Sequence, residues 1–268
     1  MEYRHAPAAD RGGLDAVLVS APGRPTLPVR LTLELFGRAL SFLGSEPVTV
    51  WDPCCGAGTT LTVLGLCRGR ALSGLLGTDV DPSPLDLAGR NLALLEPGGL
   101  DARAAELEAL AARHGKPGYS GSAAAAHRLV AAPVPYELAV ADATDLAATA
   151  SLVERHHPYM VIADLPHGVQ TRWSGAVPGS DAAAPDAAAP DAVTAGDEAE
   201  RDAGAGTGGA ASELVAALAS VLAPDAVIAL AGRGRRLALP RGLRALDRFR
   251  VGHRAMAIVR AGEVPSPG

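Results

Sequence analysis

Apolar positions in this chain recur with two different periods, and the two alternate along it. Leu31, Leu35, Phe36 and Leu40 fall at helical spacing after Pro28, whose fixed φ suits a first turn. Val48-Thr-Val-Trp51 is a short apolar run of the kind buried in a parallel sheet, and it ends at Asp52. A glycine-rich turn follows, and residues 59–67 return to a helical pattern. Residues 75–78 predict a second strand ending at Asp79, and residues 84–95 a second helix of the alternation. The Ala-rich stretch 101–132 predicts two helices broken at 115–122. Strand, helix and strand then recur at 136–141, 146–156 and 159–163, the strands ending at Asp142 and Asp164. A helix is expected at 212–222 and a fifth strand at 226–231. The last two strands, at 243–250 and 254–260, meet at Gly252.

Four strands ending in aspartate, with helices between them, predict an α/β, doubly wound sheet that binds ligands at its carboxyl edge. The terminal hairpin resembles the ending of S-adenosylmethionine-dependent methyltransferases rather than that of nicotinamide enzymes. The resemblance implies a Rossmann-like methyltransferase with seven strands and a C-terminal antiparallel hairpin. Residues 1–45 are expected to form an N-terminal extension and helix that help recognise substrate, and 46–268 the methyltransferase domain. An insertion at 174–211 interrupts that domain. It is built from Ala, Gly, Pro and acidic residues with AAAPDAAAPDA in tandem, and offers too little apolar surface to offset its ordering entropy.

Composition narrows the class. No run of eighteen apolar residues occurs and the opening MEYRHAPAADRGG lacks the apolar core of a signal peptide, so neither a membrane nor a secreted protein is expected. Cys54, Cys55 and Cys67 are spaced wrongly for a zinc site and suggest reduced thiols in a cytoplasm, with no metal. Net charge is −5, but residues 231–260 carry nine arginines against the single acid Asp247, while 174–212 hold seven acids and Arg201. A basic stripe of that density can bind phosphates whatever the global sign.

The loop Asp52-Pro-Cys54-Cys-Gly56-Ala-Gly58 lies between the first strand and its helix, where glycines allow close approach to a ligand and helix amides are unpaired. A dinucleotide fingerprint wants a small residue where Leu61 stands, and Asp52 would repel a pyrophosphate. S-adenosylmethionine is cationic, so an acid there is favourable. Asp79 is placed for ribose hydroxyls, Asp142 for an adenine amino group and the Ala143 amide for a ring nitrogen; Asp81 is expected to cap the next helix. Asp164-Leu165-Pro166-His167 resembles the Asp-Pro-Pro-Tyr signature of enzymes that methylate amino groups on nucleic-acid bases. In that reading the Asp164 carboxylate and Leu165 carbonyl accept the acceptor's hydrogens, Pro166 fixes the turn, and His167 stacks on the base where the family has Tyr.

Tyr3-Arg4-His5, Ser20-Ala-Pro-Gly-Arg24, Pro28-Val-Arg30-Leu31, Trp51 to Gly56, Asp79-Val-Asp-Pro82, Asn91 to Leu95, Gly115-Lys-Pro117, Trp173 and Arg254 to Ala261 together resemble the AviRa family of ribosomal RNA methyltransferases, which protect producers of the orthosomycin avilamycin. The resemblance implies a monomeric cytoplasmic enzyme methylating a guanine of large-subunit ribosomal RNA with S-adenosyl-L-methionine. Arg4, Arg24 and Arg30 ahead of the sheet, and Arg233, Arg235 and Arg236 after its fifth strand, then become candidates for RNA phosphate contacts. Transfer RNA or DNA as substrate, and a non-catalytic RNA-binding module, are the alternative readings.

Overall fold

The computed structural model describes residues 3–6, 13–20, 26–44, 46–165 and 199–265. Eight α-helices and seven strands occur among them: α1 (Leu14–Val17), α2 (Val29–Leu40), β1 (Val48–Asp52), α3 (Thr59–Arg68), β2 (Leu72–Asp79), α4 (Leu85–Leu92), α5 (Gly99–His114), α6 (Pro117–Arg128), β3 (Tyr136–Val140), α7 (Leu146–His156), β4 (Met160–Asp164), α8 (Ala199–Val221), β5 (Val227–Arg233), β6 (Asp247–Val251) and β7 (Arg254–Arg260). The strands form one sheet in the order β3-β2-β1-β4-β5-β7-β6. The first five run parallel, and β7 returns antiparallel to both β5 and β6. The doubly wound α/β sheet of seven strands with its terminal antiparallel hairpin is therefore present.

Strand order reverses between β1 and β4, so a crevice opens outside their carboxyl ends. Both faces of the sheet are covered. Leu33, Phe36, Leu61 and Leu64 from α2 and α3 pack with Val50, Ile162 and Ala229 on one face; Leu152, Leu214 and Leu218 from α7 and α8 pack with Val161, Ile228 and Leu230 on the other. Each Leu, Ile, Val or Phe among them removed from water contributes roughly 1.5–3 kcal/mol. Because α2 shares the first cluster with the sheet, the helix of the N-terminal extension is part of the main core.

Residues ahead of α2 are tied down by one buried acid. Glu34, fully buried, accepts the amides of Arg4, His5 and Ala6 at 2.9, 2.7 and 3.0 Å and the Nε of Arg38 at 2.7 Å. Burial alone would raise its pKa, but these donors outweigh it and hold the carboxyl below its ordinary value. Arg38 continues the network to Asp247 of β6 at 2.8 Å and lies over the Phe249 ring.

Several boundaries differ from expectation. The break between α5 and α6 is two residues long, because Gly115 (φ 64) ends one helix in the left-handed region and Pro117 starts the next. α8 begins at Ala199, so 199–211, expected to belong to the insertion, are helical in backbone; the Gly content there hid an extension of the Leu214–Leu218 helix. β6 begins at Asp247 rather than 243, and α1 was not expected. Residues 174–198 of the insertion lie outside the described residues, as do Arg24, Pro166, His167 and Trp173.

Candidate functional site

Parallel strands bring their carboxyl ends to one edge, and here β1, β2 and β4 each place an aspartate there. Asp52 is 2% exposed, and its Oδ1 accepts the Cys54 amide at 3.2 Å. The loop then turns through Gly56 (φ 51) and Gly58 (φ 69) into α3. A Cβ at Gly58 would press on Ala88 of α4 at 3.0 Å, whereas one at Gly56 would enter open space. Conformation and packing both require glycine at 58. At Gly56 the loop backbone stands clear on the side a ligand would approach.

Asp79 fastens that loop. Its Oδ2 accepts the Gly56 amide at 2.8 Å, and its Oδ1 accepts the Asp81 amide at 3.0 Å. A carboxylate has about four acceptor positions, so two backbone bonds leave capacity for ribose hydroxyls. Asp142, just after β3, uses Oδ1 to accept the amide and hydroxyl of Thr144 at 2.9 and 2.7 Å, and Ala143 beside it is buried. Asp81 does not cap α4: it binds the Ser83 amide and hydroxyl, and the helix starts after Pro84 without a side-chain cap.

These acids crowd one another. Burial pushes the Asp52 carboxyl up to about 8, with the Asp164 and Asp79 charges adding to the rise against the single Cys54 amide. Burial, and then the same acids, also drive the Cys54 and Cys55 thiols up, which makes them loop residues rather than nucleophiles. A cationic ligand would relieve this field. The donor set fits S-adenosylmethionine, whose amino group and sulfonium are positive, and it would oppose a pyrophosphate.

Asp164 ends β4 at the switch point, and its Oδ1 lies 2.6 Å from Nη1 of Arg254, the first residue of β7. The amide of Leu165, which is buried, donates to the Ala231 carbonyl at 2.8 Å and fixes the start of the turn. Arg254 was quoted above only within a resemblance; a lone arginine at the start of a strand carries no signal of a partner ninety positions earlier. Asn91 was likewise missed as a positioning group. Buried at the end of α4, it binds both backbone groups of Val19 and the Ala57 carbonyl, joining the N-terminal segment to the glycine loop.

Of the candidate RNA contacts, Arg233, Arg235 and Arg236 are exposed beyond the end of β5, on the same edge as the aspartates. The Arg4 side chain is exposed on a backbone pinned by Glu34. Arg30 is engaged within the chain: its Nε donates to the Ala6 carbonyl at 2.8 Å, and its guanidinium lies 3.7 Å over the Tyr3 ring. No group of three or more His, Cys, Asp or Glu able to hold a metal occurs among the described residues, and no helix among them is long and apolar enough to cross a membrane.

Comparison with known proteins agrees with this geometry. A family model described as rRNA methyltransferase AviRa matches residues 1–185. The 23S rRNA (guanine(2535)-N(1))-methyltransferase of Streptomyces viridochromogenes is 40% identical over 99% of this chain and 98% of its own. Two solved structures of the rRNA methyltransferase AviRa from that organism, at 1.5 and 2.4 Å, superpose with a TM-score of 0.79 at 39% and 38% identity, each covering 98% of both chains. A parallel-sheet edge crowded with aspartates, and similarity running nearly end to end, lead to one statement: the chain belongs to the AviRa family of ribosomal RNA methyltransferases.

Proposed function

We propose that this enzyme transfers a methyl group from S-adenosyl-L-methionine to N1 of a guanine in 23S ribosomal RNA, and that the modification protects ribosomes from an orthosomycin antibiotic. The observation that supports this most is Asp164 at the switch point beside the Asp52–Gly58 loop, in a chain 40% identical to a guanine N1 methyltransferase. When bound, the donor supplies a methyl group on a positively charged sulfur. In this reading Asp52 faces its cationic amino-acid portion, Asp79 accepts from the ribose, and Asp142 with the Ala143 amide holds the adenine. Asp164 and the Leu165 carbonyl address the base to be methylated, and Pro166 and His167 follow them in the motif. Arg4, Arg24, Arg233, Arg235 and Arg236 contact RNA phosphates, while Arg30 braces the N-terminal segment through Ala6 and Tyr3. The protein's main contribution is to align acceptor nitrogen and methyl group.

Unmethylated large ribosomal subunits labelled with methyl-tritiated cofactor should yield 1-methylguanosine at one position by mass spectrometry. A different modified nucleoside, or label confined to transfer RNA, would overturn the assignment.

Two further outcomes follow from the placement of groups. Asp79→Ala removes the ribose acceptor and the tie to Gly56. Charge-assisted hydrogen bonds are each worth roughly 1.5–3 kcal/mol, so titration calorimetry should show cofactor affinity falling by about a hundredfold or more. Unchanged affinity would dismiss Asp79 as a ribose ligand. Replacing Arg233, Arg235 and Arg236 together by Ala should weaken RNA binding uniformly across sequences. Its log–log dependence on salt should flatten by roughly 2, since each phosphate contact adds about 0.7–0.9 to that slope. An unaltered slope would make these arginines solvated surface.

A further inference from the structure

We infer that Arg254 recognises O6 of the target guanine and stabilises the charge that develops there, working as a pair with Asp164; the inference rests on the guanine N1 reading above. β7 is antiparallel to β5, so its first residue, not its last, stands at the carboxyl edge. Register puts Asp164 opposite Ala231 and Arg254 opposite Arg233, so positions 164, 231, 233 and 254 share one face of the sheet. The β5 residue level with Asp164 is the small Ala231, and the guanidinium reaches across β5 to within 2.6 Å of Asp164. Both side chains keep 15% exposure, so the pair is open to the crevice rather than sealed in the core. Its second guanidinium nitrogen reaches the Thr26 carbonyl only at 3.5 Å, a long contact that leaves it able to reorient.

A purely structural account of the pair is weak. The main chain of Arg254 is already held by its pairing with Arg233, and six further register pairs secure β7 on β5 without it. The charged groups that face it are Asp164 on β4, in contact, and Arg233, its register partner on β5; Asp164 in turn acts on Asp52 of β1.

Guanine chemistry asks for this arrangement. N1 bears a hydrogen, and its lone pair is delocalised into the ring. It becomes nucleophilic only as that hydrogen leaves, when negative charge spreads onto O6. Along the Watson–Crick edge O6 accepts and N1–H donates. The Arg254–Asp164 pair presents the complement, a donor beside an acceptor. Adenine offers the reverse order at both positions and is mismatched twice. In the step itself the N1 proton passes to the Asp164 carboxylate as the N1–carbon bond forms. The carbon–sulfur bond breaks with its electron pair remaining on sulfur, which becomes a neutral thioether. Arg254 remains protonated and balances the charge on O6.

The experiment begins with the wild type and an RNA hairpin substrate. If its product is not 1-methylguanosine, the guanine N1 reading fails whatever Arg254 does. With that product secured, Arg254→Gln should lower kcat about a hundredfold while cofactor affinity stays within about threefold. Its log kcat should climb with pH across the range where the wild type is flat, because the base must now lose its proton unaided. Added methylguanidine should restore part of the rate. In binding alone, the wild type should prefer a hairpin carrying guanosine or inosine at the target over one carrying adenosine by about tenfold, and the variant should lose that preference. Arg254→Lys, which keeps the charge, should retain a flat pH profile at an intermediate rate. It carries the test if the Gln variant fails to give a native circular dichroism spectrum. A Gln or Lys variant with wild-type rate, or a Gln variant whose pH profile parallels the wild type's, would overturn the inference.

Discussion

Asp164→Ala is expected to lose roughly a hundredfold or more in turnover while binding S-adenosylmethionine almost normally. The residue stands at the end of β4, paired with Arg254, and the proposed function gives it the acceptor base, whereas it assigns the donor to β1, β2 and the loop after β3. Removing a charged group aimed at charge that develops during transfer costs about 3 kcal/mol. Asp164→Asn keeps the shape and one acceptor oxygen but loses the charge and gains a donor, so its rate should fall between the two. Single-turnover kinetics with saturating cofactor measures the effect directly. Full methylation by Asp164→Ala would remove the residue from the site. Loss of cofactor affinity equal to the loss of rate would move it to the donor side.

The second large effect concerns protons. With its carboxyl pushed up to about 8, Asp52 is neutral in the free protein at pH 7, while a cationic ligand beside it favours the ionised form. Cofactor binding near pH 7 should therefore release close to one proton, visible as a calorimetric enthalpy that varies with the buffer's ionisation heat, and the release should fade above about pH 9. Stability of the free protein follows the same residue. Below pH ~4 the carboxyl is protonated in both folded and unfolded chains and contributes no difference. Between pH ~4 and ~8 the folded state holds a proton that the unfolded state has released, so stability falls as pH rises through that window and levels off above it. Asp52→Asn should abolish the proton release, weaken cofactor binding and raise the free protein's stability at pH 8 by on the order of 5 kcal/mol. Proton release that persists undiminished in the Asn variant would assign the titration to another group.

Much of the sheet was legible because apolar runs here stop at aspartate. Asp52, Asp79 and Asp164 each close a run, and a doubly wound fold gathers such ends at one edge without further information. What stayed hidden depends on partners distant in the chain. Arg254 meets Asp164 only because β7 reverses direction, a fact of pairing rather than of local pattern. Glu34 and Asn91 look like ordinary polar positions on helices, and their partners are backbone groups that carry no residue-type signature. The start of α8 was obscured for a different reason. A stretch of Ala and Gly has no apolar period from which a helix can be read.

The antiparallel return of β7 also orders events in time. Synthesis proceeds from the N-terminus, so a growing chain that has completed β1 to β5 already possesses the glycine loop and the four edge aspartates. It lacks Arg254, and its Arg38 still lacks Asp247, a partner 209 positions away. Until the final hairpin is made and docks, Asp164 faces its neighbouring carboxylates without the guanidinium. In a chain whose family modifies ribosomal RNA, the ion pair at this edge thus waits on the hairpin, after β1 to β5 have been made.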